Sequence, residues 1–134
     1  MKICHYDNNQ AGVIVENKVY KIGDALIKAG LARNGYTMLE IIDALANDSK
    51  AMQLARDASQ DAAGIPLNSV KLLAPITNPG SLWAAAANYR AHQKEMIERM
   101  GSADRVTKSK DELMAEFFLK TTSSIIGPGD TMIL

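Results

Sequence analysis

GIPLNSVKLLAPITNPGSLW, residues 64–83, is the stretch in which the chain changes character. It begins with the turn formers Gly64, Pro66, Asn68 and Ser69, runs apolar from Val70 to Leu73, turns at Asn78-Pro79-Gly80 and resumes apolar at Leu82. Glycine frees φ and proline locks it, so clusters of the two punctuate a chain. The stretch therefore reads as a boundary followed by two strands, Val70–Leu73 and Leu82–Ala86. It divides the sequence into residues 1–66 and residues 67–134.

Upstream, the first 22 residues read as a meander. Lys2–Tyr6, Val13–Glu16 and Val19–Ile22 are β-prone runs, parted by DNNQAG and by the tight Asn17-Lys18. A helix is expected from Asp24 as N-cap to Gly30 as stop. Thr37-Met38-Leu39-Glu40 has the form of a capping box, with Tyr36 and Ile41 placed to staple it. Met38, Ile41, Ile42 and Leu45 recur at helical spacing and mark one apolar stripe for the core. Ser49 is expected to cap a third helix running to about Ala58 or beyond. His5, inside a strand, reads as packed or surface. Residues 1–66 thus form a small α+β module for support or dimer contact.

Downstream of Leu82, a helix is expected from near Tyr89 to just before Gly101. Residues 101–116 are polar and poorly periodic, with a short helix from Asp111, and together with the helix before them read as a lid. Phe117–Lys120 reads as a strand, Gly127-Pro128-Gly129-Asp130 as a turn, and Met132–Leu134 as the start of another strand. A strand that begins so close to a chain end has little to pair with, so the chain reads as the front part of a larger polypeptide.

Composition narrows the function classes. Fifteen basic residues balance fifteen acidic ones, which leaves no net field for nucleic acid or an anionic membrane. The single cysteine, Cys4, allows neither an internal disulfide nor a cysteine-based zinc site and suits a reducing compartment. The start, MKICHYDNNQ, has no signal-peptide core, and the apolar run Leu82–Ala87 is far too short to span a membrane. A cytoplasmic location is expected.

Chemistry-bearing residues are few. In NYRAHQKEM, residues 88–96, His92 stands three residues before Glu95, so on a helix the two share a face. A carboxylate there can orient the imidazole and set which ring nitrogen is free, as a general base requires. An exposed helix with ordinary polar residues explains the same spacing, and on these residues alone it is the better reading. The half-motif of a di-metal carboxylate bundle is set aside, because the one other histidine is His5. The GPGD turn lacks the Gly-Lys-Ser/Thr ending of a phosphate loop. Thr121–Ser124 places four hydroxyls beside Lys120, which suits an anion-binding loop or, better, a plain surface loop.

Taken together, residues 70–134 resemble the opening of the catalytic domain of the fumarylacetoacetate hydrolase family. Three blocks carry the resemblance in order: VKLLAPITNPGSLW at 70–83, NYRAHQKEM at 88–96 with the N-Y-x-x-H-x-x-E pattern, and FFLKTTSSIIGPGDTMIL at 117–134. Ala86 stands where the family usually has glycine, and Thr121 where it often has proline. The resemblance implies an α+β chain, in which the N-terminal module precedes the first strands and lid helix of a mixed β-roll catalytic domain.

It further implies an enzyme that uses Mg2+ or Mn2+ on 2-oxo or 1,3-dicarbonyl acids. The reaction would be acylpyruvate-type C–C hydrolysis, or hydration, isomerisation or decarboxylation, in the catabolism of aromatic compounds or amino acids. His92 and Glu95 would be the catalytic pair, and Tyr89, Lys120 and Ser124 would hold substrate. The partners implied are a small-molecule 2-oxo acid and a second copy in a homodimer, with no nucleic acid and no membrane. The family's metal ligands, an E-x-E pair and a later aspartate, correspond to positions beyond Leu134, and no E-x-E occurs in these residues. The rival expectation is a non-catalytic binding or assembly module, or an inactive fragment.

Overall fold

The computed structural model describes residues 1–61, 63–85, 89–100 and 117–133. They fall into two compact units, residues 1–77 with 125–134, and residues 78–124. The α+β expectation holds in both.

The first unit is built on an antiparallel sheet of β1 (Lys2–Tyr6), β2 (Gln10–Val15), β3 (Lys18–Lys21) and β4 (Ile65–Pro66), in that order. β2 begins earlier than the sequence suggests. The first turn is Asp7–Asn9, with left-handed backbone at Asp7 (φ 45°) and Asn9 (φ 58°), conformations that Asp and Asn tolerate better than most residues. Val15 pairs with Lys18, so the second turn is Glu16-Asn17 rather than Asn17-Lys18.

Side chains alternate across the sheet, and both faces are covered. On one face Ala11 and Val13 join Ile22, Leu26, Met38, Ile41, Leu45, Ala51 and Ala55 in the main core. These come from α1 (Gly23–Lys28), α2 (Met38–Asn47) and α3 (Ser49–Asp61). On the other face Cys4, Tyr6 and Val19 pack with Ile14, Leu67, Val70 and Leu72. Burial raises the Cys4 thiol above its ordinary pKa, so it is a packing group and not a thiolate.

The helix ends differ from expectation in instructive ways. Ile22 and not Asp24 precedes α1, and Asp24 lies inside the first turn, where its charge suits the helix dipole. Thr37 Oγ1 accepts from the Glu40 N–H at 3.3 Å as expected. The Glu40 carboxylate does not return the favour. It takes the Arg33 guanidinium and the Arg33 N–H, which hold its carboxyl below the usual range. Asp48, not Ser49, caps α3, its Oδ1 accepting from Lys50 N–H at 2.7 Å and Ala51 N–H at 3.2 Å. In α2, Met38, Ile41 and Leu45 are buried whereas Ile42 is exposed.

Residues 67–77 belong to this unit. Leu67–Ser69 form one turn of 3-10 helix, and what reads as a strand at Val70–Leu73 makes a single bridge, Leu72 to Tyr6. Lys71 and Leu73 exchange backbone bonds with Asp7 and His5, at 2.8 Å each. The ladder ends there because β1 turns away at Asp7. His5 is buried, its Nδ1 3.0 Å from the Ala74 carbonyl, which makes it a packed histidine.

The GPGD turn forms as read. Asp130 N–H donates to the Gly127 carbonyl, and Gly129 sits at φ 80°. A Cβ on Gly127 would lie 3.1 Å from the Leu72 carbonyl, so glycine lets the turn approach this backbone. Thr131–Ile133 carry no strand pairing, and Met132 and Ile133 are exposed, against the expected strand there.

In the second unit β5 (Leu82–Ala85) pairs antiparallel with β6 (Phe117–Lys120), with Trp83 opposite Leu119 and Ala84 opposite Phe118. α4 spans Arg90–Met100. The expected continuation of β5 into Ala86, the polar stretch 101–116 and the short helix from Asp111 lie outside the described residues.

Candidate functional site

α4 supplies the site's central geometry. Residues three and four apart on a helix share a face, so His92, Glu95 and Arg99 line up along one side. His92 Nδ1 lies 3.6 Å from Glu95 Oε2. That is ion-pair range but longer than a hydrogen bond. Glu95 Oε1 is held at 2.9 Å by Arg99 Nη2. The carboxylate therefore bridges a ring nitrogen on one side and a guanidinium on the other. Both His92 and Glu95 are about half exposed, so the imidazole can be reached from solvent. Lys94 and Glu98 make a looser pair on the same helix, 4.0 Å apart.

Tyr89 immediately precedes α4 and is exposed. Lys120 ends β6, its ammonium 5.8 Å from the centre of the Phe118 ring, within cation–π range. The hydroxyl of Ser124, in the 3-10 turn Thr122–Ser124, donates to the Thr121 carbonyl at 2.7 Å. Ser123 donates in turn to Thr121 Oγ1 at 3.0 Å. Thr121 is thus the acceptor that organises the hydroxyl loop, leaving the Ser124 oxygen free to accept. Sequence reading brings His92 and Glu95 together, and the structure places them in contact. It places Tyr89, Lys120 and Ser124 in the same unit without bonding them to that pair.

Arg99 is the member that sequence reading missed. Its signal was available as H-x-x-E-x-x-x-R, the glutamate four residues before an arginine, the favourable orientation for a helical ion pair.

Among the described residues no three of His, Cys, Asp and Glu cluster to hold a metal ion. Asp130 is committed elsewhere. The Lys71 ammonium at 3.0 Å and the Gly127 N–H at 2.9 Å hold its carboxyl below the ordinary carboxylate range. Asp111, Glu112 and Glu116 lie outside the described residues. One cleft of the first unit, of about 360 Å³, is lined by Gln10, Lys21, Asp24 and Tyr36. Among the described residues no helix is long and apolar enough to cross a membrane.

No family model matches the chain. It is 33% identical over its whole length to a maleylpyruvate hydrolase of Aquipseudomonas alcaligenes and spans 46% of that protein. A solved maleylpyruvate hydrolase from Sphingobium sp. SYK-6, in complex with manganese(II) and pyruvate, matches the whole chain with a TM-score of 0.65 and 26% identity. The chain spans 42% of that structure. A second structure of maleylpyruvate hydrolase from the same source matches 96% of the chain, with a TM-score of 0.61 and 22% identity, a likeness of fold alone. The chain thus spans under half the length of the proteins it matches.

Proposed function

We propose that the chain belongs to the fumarylacetoacetate hydrolase family and is the front part of an enzyme cleaving the C–C bond of an acylpyruvate of the maleylpyruvate type. One observation carries the reading. The whole chain is similar to maleylpyruvate hydrolase, and within it His92 Nδ1 faces the Glu95 carboxylate on an accessible helix face.

The chemistry assigned to this chain follows from that pair. A carboxylate facing Nδ1 favours a proton on that nitrogen and leaves Nε2 as the acceptor. His92 then takes a proton from water as the water oxygen adds to the acyl carbonyl. The C–C bond breaks, its electron pair goes to the enolate of the pyruvate half, and a proton returned to that carbon completes pyruvate. Lys120 offers the charge, and Tyr89 and Ser124 the hydroxyls, that would hold the substrate carboxylate.

For the whole protein we assign a divalent metal, Mg2+ or Mn2+, of which the Sphingobium enzyme's complex holds manganese. In that setting it would supply Lewis acidity. The described residues of this chain do not make a cage for it. In this reading residues 1–66 support the catalytic domain and residues 67–134 open it, with 67–77 lying along the module's sheet. A cytoplasmic homodimer in aromatic catabolism completes the proposal, with isomerisation as the neighbouring activity.

The test is turnover of an acylpyruvate by the longer enzyme that contains this segment. His92→Ala should lower kcat by roughly a hundred- to ten-thousand-fold, the ordinary span of general acid–base catalysis. Glu95→Gln should lower it less, and the double variant should be little worse than His92→Ala. Glu98→Gln, which breaks the exposed pair with Lys94, should stay within about threefold. Near-normal turnover in His92→Ala would return the pair to an ordinary exposed helix.

A further inference from the structure

We infer that Arg99 is a positioning residue for the His92–Glu95 pair, an inference that rests on the catalytic reading of that pair. The 3.6 Å separation of His92 Nδ1 from Glu95 Oε2 is too long for the two to hold each other by a hydrogen bond. A glutamate side chain half in solvent has several rotamers of similar energy, and most of them point its carboxylate elsewhere. What restrains it here is the other oxygen, Oε1, which Arg99 Nη2 holds at 2.9 Å from one turn further along α4. With Oε1 anchored on the C-terminal side, Oε2 is left facing back toward His92.

The choice of residue fits the task. A guanidinium stays charged at every working pH and presents several donors in a planar fork, so it grips a carboxylate directionally. The order of the pair, glutamate N-terminal to the cation at a spacing of four, is the favourable one on a helix. The second ion pair of α4 makes the contrast. Lys94 and Glu98 have the same spacing but the reverse order, are 4.0 Å apart and include no histidine. Arg99 acts on His92 through Glu95.

The consequence is a tautomer. A neutral imidazole free in water carries its proton mainly on Nε2, the wrong nitrogen for a base that is to use Nε2. A carboxylate kept at Nδ1 moves the proton there and frees Nε2. Arg99 therefore sets how much of His92 is in the form able to accept a proton.

The experiment is 15N–1H correlation of the imidazole nitrogens in the 134-residue chain, at a pH where the rings are neutral. His5, whose Nδ1 lies against the Ala74 carbonyl, is the internal reference and reports that the first unit is intact. Arg99→Gln keeps helix propensity, since Arg and Gln are near-equal helix formers. It should cut the ratio of Nδ1–H to Nε2–H tautomer at His92 by about twofold, the size of an exposed helical ion pair. Arg99→Lys should restore part of it, Glu95→Gln should lower it at least as far, and Lys94→Gln should leave it unchanged. An Arg99→Gln spectrum equal to the native one, or a change matched by Lys94→Gln, overturns the inference. The two readings fail separately. Lost turnover in His92→Ala with an unmoved tautomer in Arg99→Gln removes Arg99 and keeps His92, while a moved tautomer with normal turnover in His92→Ala does the reverse.

Discussion

The two units of this chain are held together by different physics. In residues 1–77 the sheet is covered on both faces, and every buried residue among those described lies between Cys4 and Ala74. In residues 78–124 no described residue is buried. The ribbon of β5 and β6 exposes Trp83, Phe117, Phe118 and Leu119, and the described side chains of α4 are exposed as well. The first unit draws its stability from apolar burial. The second has a ladder of backbone bonds and helix-surface ion pairs, which individually contribute little. The chemistry-bearing residues His92, Glu95 and Lys120 all sit in the second. A site on a segment with little core of its own can be reshaped at low cost.

The contrast can be broken most directly at its strong end. Ile41 is fully buried in the main core, so Ile41→Ala should destabilise the chain by about 2–5 kcal/mol through lost burial and the cavity left behind. Urea unfolding followed by circular dichroism measures it, and a loss under about 1 kcal/mol would mean the core is not close-packed. At the end of α2, Thr37→Ala removes the acceptor for the Glu40 N–H and should cost about 1 kcal/mol in the same assay.

Across the divide the expected effect shrinks. Trp83 is the chain's one tryptophan and would ordinarily be a core anchor, yet it is 63% exposed. Trp83→Ala should therefore change the unfolding free energy by no more than about 0.5 kcal/mol. A loss comparable to that of Ile41→Ala would erase the distinction between the units.

The smallest effect concerns acid. The Asp130 carboxyl is held below its ordinary range by Lys71 and then by the Gly127 N–H. A group whose folded pKa is depressed adds stability above its unfolded pKa and loses it as pH falls through the folded one. On acidification below the usual carboxylate range the Gly127 amide should lose its acceptor, which its NMR shift reports. Asp130→Asn should flatten that titration.

What could be read from the residues alone is what neighbours in the chain decide. The helix from Arg90, the Thr37 cap and the Gly127–Asp130 turn depend on contacts only a few residues away, as does the approach of His92 to Glu95. Propensity and spacing encode such contacts directly. Tertiary structure decided the rest. His5 is buried because Ala74, far along the chain, supplies its acceptor. Val70–Leu73 makes a bridge and not a strand because β1 turns away at Asp7. Ile42 stays exposed while Ile41 is covered, because the neighbouring elements roof only part of the apolar stripe of α2. Glu40 leaves its expected capping role because Arg33 offers a charge-assisted partner, and a charged donor outbids a backbone amide. Which of several chemically adequate partners a group takes depends on what the fold brings within reach, and local spacing does not encode that.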